Sequence, residues 1–563
     1  MAGRIDEIAR ERFGFRALRP GQREAIEAVL AGRDTVAILA TGSGKTAIYQ
    51  IAGQLLDGAT VVVSPLISLQ RDQVQGERDA AVVNSTISAG AREAVFAEAE
   101  DGELEYVLLA PEQLAKPQVQ ARLAEARVSL LVVDEAHCVS EWGHDFRPDY
   151  LGLDEAVERL GRPTVLALTA TAAPPVRDDV VALLGLRDPV VVVRGFDRPN
   201  IRLEVEAFHD PARKRRALLD AAAEAEGAGI VYVATRRAAE AVADALAARG
   251  VRAAAYHGGL GARRRNAVQA AFMEAGDLDV VVATTAFGMG VDKPDVRWVF
   301  HHDVSASLDA YWQEVGRAGR DGRPARARLF YRPEDLGLRR FFAGGGVDRA
   351  ALERVARALA AAGGPGGPAA VHAALGLSRT RLATAVHRLE RAGFAEVGGD
   401  GLVRALGGPD AIGAAVEEAA RAEADRHAFD RSRVEMMRAY AEERRGCRRA
   451  FVLGYFGEAY DPPCGACDRC DAGLGEDDPA TPEAAGFAVG ERVAHGTWGE
   501  GTVGRIEGDQ LTVVFDAVGY KTLDAGLVAQ RGLLRRAGAP NPSAPPTPTT
   551  SSRAGSSARR ASR

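Results

Sequence analysis

The chain has 563 residues, 47% of them hydrophobic and 26% charged, and a formal net charge of −6. Those proportions are globular ones, enough for roughly three or four folded units, and they exclude a wholly disordered, collagen-like or disulfide-dense chain. No stretch reaches the roughly 18 to 20 uncharged apolar residues of a membrane span, and the start, MAGRIDEIARERFGF, has no apolar signal region, so a cytoplasmic protein free of the membrane is expected. The negative balance does not exclude nucleic acid, because arginine can gather on one face while the remainder stays acidic.

Residues 1–205 alternate short β-branched runs (TVAILA, TVVVSPL, YVLLAP, SLLVVDEA, TVLALTA) with alanine-rich, charged stretches at helical period. That rhythm predicts an α/β lobe built on a parallel sheet with helices on both faces. Residues 206–343 repeat it (GIVYVAT, AAAYHG, VVVATTA, VRWVFHHD) and predict a second lobe in tandem. Residues 344–410 begin glycine-rich, include a helix near 349–362, and then read as helix, tight turn, helix and hairpin, a winged-helix-like pattern. There Leu382, Val386 and Leu389 share one helical face, which leaves Arg379, Arg381, Arg388 and Arg391 outward to meet phosphate or only water. Residues 411–471 are predicted helical up to four cysteines, and 472–486 form an acidic, proline-containing linker. Residues 487–536 turn to short strands, with Gly490, Gly496, Gly499 and Gly501 at reversals and Val493, Val503, Ile506, Val513 and Phe515 as the predicted core. Residues 537–563 are a Pro/Ser/Thr/Arg tail without acidic residues, expected to be disordered.

Chemistry concentrates at two strand ends of the first lobe. VAILATGSGKT sets an apolar strand before the loop Thr41-Gly42-Ser43-Gly44, which opens a helix at Lys45-Thr46. Gly42 and Gly44 let backbone N–H groups face phosphate oxygens, Lys45 supplies a charge for the outer phosphates, and Thr46 offers a hydroxyl to Mg²⁺. Lysine occurs only at 45, 116, 214, 293 and 521, so its presence here among so many arginines is informative; leucine at 39 stands where the strict loop pattern has glycine. SLLVVDEAHC delivers adjacent carboxylates to a second strand end, an arrangement that is costly unless a cation or water chemistry needs it. Asp134 is expected to hold Mg²⁺, Glu135 to orient and deprotonate the attacking water, and His137 to couple the site to the neighbouring lobe.

In this order the motifs resemble the RecQ family of superfamily-two DNA helicases, over roughly residues 8–341 and again over 431–470. The resemblance implies two RecA-like lobes with ATP as fuel. It makes FGFRALRPGQREAI an adenine-recognition segment in which Gln22 reads the base edge, Arg19 assists and Phe15 stacks. HCVSEWGHDFRPDY resembles the family's aromatic-rich loop, which implies that Trp142, Phe146 and Arg147 sense single-stranded DNA. VVVSPLISLQRDQV and LTATA (Thr169, Ala170, Thr171) resemble its strand-contact and coupling motifs. VVVATTAFGMGVDKPDVRWVFHHD and YWQEVGRAGRDG resemble motifs of the second lobe. From them, Gln313, Arg317 and Arg320 would close the nucleotide cleft, with Arg320 as arginine finger and Arg317 as a second phosphate contact. Thr284 and Asp292 are lesser candidates, for strand contact and cleft coupling respectively.

Cys447 is followed by sixteen residues and then Cys464-Gly-Ala-Cys467-Asp-Arg-Cys470. Four thiolates with two C-x₂-C steps fit a closed, structural zinc site, with an iron–sulfur or metal-free cluster as the alternative. The spacing also resembles the RecQ zinc module. Cys138 stands apart as an expected core residue. Two features depart from the family pattern: the winged-helix-like segment precedes the cysteines, and residues 487–536 resemble the Tudor-like β-barrel of UvrD/PcrA-type helicases. The second likeness implies docking on RNA polymerase or another protein, with a generic barrel that adds DNA affinity as the alternative. The expectation is a nucleoid-associated 3′–5′ DNA helicase that moves on single-stranded DNA and opens forked DNA in recombination and repair. The rivals are an RNA helicase, a non-enzymatic adaptor and a duplex translocase.

Overall fold

The computed structural model describes residues 2–537, apart from 20, 41, 66–69, 71–78, 85–86, 141–146, 151, 173, 275–276, 288–292, 344–347, 363–375, 378, 398–401, 445, 457, 459, 476–482 and 517. The first lobe holds β1 (Thr35–Leu39), β2 (Ala59–Val63), β3 (Ala80–Val83), β4 (Tyr106–Leu109), β5 (Val128–Val133), β6 (Thr164–Thr169) and β7 (Val190–Arg194). They form a parallel sheet in the order β3-β4-β2-β5-β6-β1-β7. Successive residues of β1 face opposite cores, Val36 and Ile38 on one side and Ala37 and Leu39 on the other. With helices covering both faces, continuous apolar strands are the stable choice, because no face is left for water.

The second lobe holds β8 (Ile201–Ala207), β9 (Ala228–Tyr232), β10 (Ala253–Tyr256), β11 (Val280–Ala283), β12 (Val296–His301) and β13 (Ala325–Tyr331). Its parallel sheet runs β10-β11-β9-β12-β13-β8. Helix Arg236–Ala247 shows how sequence sets this packing. Thr235 caps its first turn by accepting from the Ala238 N–H, and Ala239, Val242, Ala243 and Leu246 recur at helical spacing to meet the sheet.

A small unit follows: helices Arg349–Ala361 and Arg379–Arg391, then the hairpin β14 (Ala395–Val397) and β15 (Val403–Ala405). Leu382, Val386 and Leu389 are buried together against Leu352, Val355 and Leu359, so the apolar face expected of that helix does face inward. Next comes a helix of 31 residues, Ile412–Glu442. Its first turns close the small unit's core through Ile412, Ala415, Val416 and Ala419, while Val434, Met437 and Tyr440 join the core shared with the cysteine segment. One rigid rod therefore belongs to both.

The C-terminal strands begin earlier than expected, inside 472–486. β16 (Glu483–Ala484) pairs with β17 (Phe487–Ala488), because Ala484 and Phe487 pack on the apolar cluster that follows. Then β18 (Arg492–His495), β19 (Gly499–Glu507), β20 (Gln510–Phe515), β21 (Gly519–Asp524) and β22 (Leu534–Arg536) form an antiparallel sheet in the order β21-β20-β19-β18-β22. Val493, Val503, Ile506, Val513 and Phe515 are all buried in its core. Among the described residues no helix is long and apolar enough to cross a membrane.

Leu389 is fully buried in the small unit's core. Leu389→Ala should cost about 2–5 kcal/mol there, seen as faster amide exchange over 349–419 with unchanged protection in the two lobes. Unchanged exchange in 349–419 would mean that another set of contacts holds the unit together.

Candidate active site and cysteine cluster

The loop after β1 is shaped by two left-handed glycines, Gly42 and Gly44, both at φ 79°. A Cβ on Gly44 would come within 2.7 Å of Gln22 Nε2, so glycine is needed both for the backbone and for this approach. Helix Lys45–Gly53 starts here and aims its free N–H groups into the loop, a ready anion site. Gln22 Nε2 donates to the Ser43 and Gly44 carbonyls at 2.9 Å, Gln22 Oε1 accepts from the Arg19 N–H at 2.7 Å, and the Arg19 guanidinium donates to the Gly42 carbonyl. The structure thus brings Arg19 and Gln22 onto the loop itself. Phe15 is 38% exposed and stacks on Phe13 at 6.2 Å, with ring surface still open to solvent. Thr46 hydrogen-bonds Tyr49, and Thr41 lies outside the described residues. Lys45 donates from Nζ to the Leu39 carbonyl at 3.1 Å; burial holds its ammonium below the usual lysine range, and Glu135 and Asp134 oppose that.

β5 carries Asp134 to the same edge. Its Oδ2 accepts from Ser64 Oγ at 3.2 Å and its Oδ1 from the Glu135 N–H at 3.0 Å. Burial, and then the neighbouring Glu135 charge, push its carboxyl up to about 7, while Lys45 draws it down. A divalent cation would supply the charge that ionised Asp134 needs. Glu135 sits at φ 49°, a left-handed conformation that a non-glycine side chain rarely adopts and that the fold must enforce. Its Oε2 lies 3.4 Å from His137 Nδ1, and that nitrogen lies 2.9 Å from Thr169 Oγ1. Thr169 in turn donates to the Thr171 carbonyl and accepts from the Thr171 N–H, so the ends of β5 and β6 form one polar chain. Tyr150, which the sequence reading passed over, donates to the Asp134 carbonyl at 2.9 Å; it closes HDFRPDY, the signal that marked the loop before it. The Arg147 N–H donates to the Cys138 carbonyl and ties the base of that loop to this edge. Trp142 and Phe146 lie outside the described residues, as does Asp292. Thr284 follows β11, its N–H donating to the Tyr256 carbonyl.

The second lobe answers across the cleft. Helix Leu308–Val315, capped by Ser307 Oγ, carries Gln313 and leads into Arg317 and Arg320. A Cβ placed on Gly42 would meet Arg320 Cγ at 3.3 Å, so this arginine packs directly on the first lobe's loop. Arg317 is only 4% exposed, and its Nε has no hydrogen-bond partner; the same holds for Ser43 Oγ in the loop. Beside Arg317, burial pushes Tyr232 up to about 12. Arg198, in the segment joining the lobes, was not singled out from sequence. It donates to the Gly316, Ala318 and Gly319 carbonyls just past the helix, and burial, then Arg320 and Arg19, hold it down to about 10. Lys45, Arg19, Arg198 and Arg320 therefore repel one another in a partly dehydrated seam. A polyphosphate is the ligand that relieves such a cluster.

The cysteine cluster is built on two helix starts, with Cys447 before Arg448–Tyr455 and Cys467 before Asp468–Asp471. All four sulfurs of Cys447, Cys464, Cys467 and Cys470 lie within 4.8 Å of one another, with Cys464–Cys470 at 3.7 Å and Cys467–Cys470 at 3.5 Å. A tetrahedron with Zn–S bonds of about 2.3 Å has edges of about 3.8 Å, so the donor set fits zinc. Cys138 is buried far along the chain, as expected of a core residue. The cluster's loop closes the edge of the second sheet: the Leu203 N–H of β8 donates to the Ala466 carbonyl at 3.1 Å, and Asp468 joins Arg448 at 2.5 Å. Covering that edge removes unpaired backbone groups from water.

Comparison with known proteins agrees with this geometry. Residues 19–180 match the DEAD/DEAH box helicase family, 213–322 the helicase conserved C-terminal domain, and 412–471 the RecQ zinc-binding family. A probable ATP-dependent DNA helicase RecS of Bacillus subtilis (strain 168) is 44% identical over 332 residues, 58% of this chain and 66% of that protein. ATP-dependent DNA helicase RecQ of Pasteurella multocida (strain Pm70) is 41% identical over 57% of this chain and 51% of its own length. RecQ of Bacillus subtilis (strain 168) is 38% identical over 61% and 58%. The chain thus spans about half to two thirds of the length of these curated relatives. A crystal structure of the DUF1998 helicase MrfA bound to DNA and AMPPNP shares the fold, at a TM-score of 0.50 and 18% identity over 60% of this chain and 51% of that one. The two lobes are similar to the DEAD/DEAH box helicase family and to the helicase conserved C-terminal domain. The cysteine segment is similar to the RecQ zinc-binding family, in keeping with the RecS and RecQ relatives that the lobes match.

Lys45→Ala removes the cation at the mouth of the loop and should abolish ATP hydrolysis, read as phosphate release under saturating DNA; near-normal turnover would overturn the site. Cys467→Ser should lower bound zinc and solubility together, measured by elemental analysis and soluble yield. A fully soluble, metal-free variant would mean that the cluster does not hold the segment.

Proposed function

We propose that this protein is an ATP-dependent DNA helicase of RecQ type, which couples hydrolysis to 3′–5′ movement on single-stranded DNA and to duplex opening. The observation that carries this reading is the packing of Arg320, from one lobe, on Gly42, from the other. A finger from a separate lobe completes the site only when the cleft shuts, and that dependence links chemistry to motion.

In this reading Gly42, Ser43, Gly44 and Lys45, with Thr41, cradle the phosphates; Phe15, Arg19 and Gln22 read the adenine; and Gln313 closes over the nucleotide. Gln22 and Arg19 already hold the loop's carbonyls, so base recognition and loop shape are linked in this scheme. Thr46 and Asp134 would hold Mg²⁺, which supplies charge neutralisation at the phosphates. Glu135 orients and deprotonates the water, and Arg317 and Arg320 stabilise the charge that develops as the terminal phosphoryl leaves. Loss of a finger of this kind costs about 10³–10⁵ in turnover. Trp142, Phe146 and Arg147 sense the strand, and the His137–Thr169–Thr171 chain relays between the ends of β5 and β6. Zinc held by the four cysteines is structural.

The unit at 344–410 serves as a winged-helix-like DNA contact, with its arginine-bearing helix toward phosphates and its hairpin as the strand-separating element. The sheet at 487–536 serves as a Tudor-like docking module for RNA polymerase or another protein. Single-stranded and forked DNA are the substrates, in recombination and repair at the nucleoid.

Strand displacement on forked, gapped and four-way substrates with ATP tests the reading, and ATP consumption at one rate with or without any oligonucleotide would overturn it. Trp142→Ala should keep ATP binding and lose stimulation by single strands. Unchanged stimulation would remove the sensor role from that loop.

A further inference from the structure

The first turn of the helix that leads to Arg320 is held by parts of the chain outside its own lobe. Asp309, 4% exposed, accepts at Oδ2 from the Tyr455 hydroxyl at 2.5 Å and from Arg433 Nη2 at 3.3 Å. Arg433 Nη2 also donates to Ser307 Oγ, the cap of that helix, at 3.0 Å. Tyr455 ends the helix that follows Cys447, and Arg433 lies on the long helix Ile412–Glu442. A buried carboxylate at a helix start, satisfied by a hydroxyl and a guanidinium, fixes that end in position and direction.

The chain of contacts continues into the C-terminal sheet. The Tyr455 ring stacks on Tyr520 of β21 at 4.9 Å and 18°. The Tyr520 N–H donates to Ser432 Oγ at 3.0 Å, and Arg505 of β19 sits 3.7 Å over the Phe451 ring. Gly519 is left-handed, and a Cβ there would overlap Ser432 Oγ, so the strand tip is seated on the long helix as closely as backbone allows. From the same side, Arg177 of the first lobe donates to the Phe456 carbonyl at 2.7 Å and to the Ala172 carbonyl just past β6. The C-terminal sheet, the cysteine segment and both lobes therefore meet within a few residues of Asp309.

We propose that Asp309, Tyr455 and Arg433 are positioning residues for the arginine finger, and that the C-terminal sheet, through Tyr520, acts as an intramolecular activator of ATP hydrolysis. This rests on the helicase reading above. The finger helix runs Leu308–Val315, and Arg317 and Arg320 follow in the turn whose carbonyls Arg198 holds, so a tilt at Asp309 is passed through that short turn to both arginines. Displacement of about 1 Å at a reacting centre costs on the order of 10²-fold in rate. The cluster touches neither nucleotide loop nor carboxylates, so ground-state ATP binding stays as it is.

The test uses the full chain with saturating oligothymidylate, reading kcat and KM for ATP, zinc content and melting temperature. Asp309→Asn keeps the shape and removes the charge, Tyr455→Phe keeps the stack and removes the hydroxyl, and Tyr520→Ala removes the stack. Each should lower kcat about tenfold, roughly 1.4 kcal/mol, with KM within about twofold and zinc unchanged. Tyr520→Phe, which keeps the ring, should restore the wild-type kcat. Wild-type kcat in both Asp309→Asn and Tyr455→Phe would overturn the inference and leave the helicase reading standing, as would a loss that only follows zinc and melting temperature. A wild-type protein that does not hydrolyse ATP on DNA would remove both.

Discussion

Arg320 approaches Gly42 across the gap between two separately folded sheets, and it brings a guanidinium toward Lys45 in a partly buried cleft. Like charges so placed raise the energy of the closed arrangement unless an anion enters. The rest of the molecule bears on that constraint. Parallel strands carry the loop and the carboxylates to one edge. Arg198 ties the joining segment to the carbonyls that follow the finger helix. The left-handed Glu135 and the raised Asp134 carboxyl are the local strain and charge cost that the fold accepts to keep this edge reactive.

The cysteine segment serves the same arrangement from behind. Its loop pairs with the outer strand of the second sheet, Arg449 joins Asp197 at 3.1 Å, and Phe456 stacks on Phe196 at 4.4 Å beside the interlobe segment. With a metal bound, such a knot would stiffen the interlobe segment beside Phe196 and Asp197. The four thiolates therefore matter to the cleft although they lie outside it.

The small unit before the cysteines and the sheet after them are attached very differently. The first shares a single long helix with the cysteine segment, so motion at one end is carried as rotation of a rod. The second is seated on that rod through Gly519 and the Tyr520 N–H bond to Ser432 Oγ, and on the following helix, Arg448–Tyr455, by the Tyr520–Tyr455 stack and the Arg505–Phe451 cation–π contact. Val514 and Tyr520 also join the buried core that the cysteine segment shares with the lobes, so the sheet is coupled to that core by burial as well as by these directional contacts.

Much of the fold was legible in sequence because burial on both sheet faces writes continuous β-branched runs, and helices write a 3.6-residue period. The phosphate loop, the paired carboxylates and the four cysteines were legible for a similar reason: their chemistry needs fixed residue types at short spacing, so each motif is local. Arg198, Tyr150 and Asp309 were not legible, because a lone arginine, tyrosine or aspartate acquires meaning only from what lies against it. Tertiary structure alone decided that Arg320 rests on Gly42, that Gln22 grips the loop, and that Tyr520 reaches the helix Leu308–Val315 through Tyr455. These are contacts between residues far apart in the chain, set by how whole sheets and helices pack, and neither periodicity nor spacing carries that information.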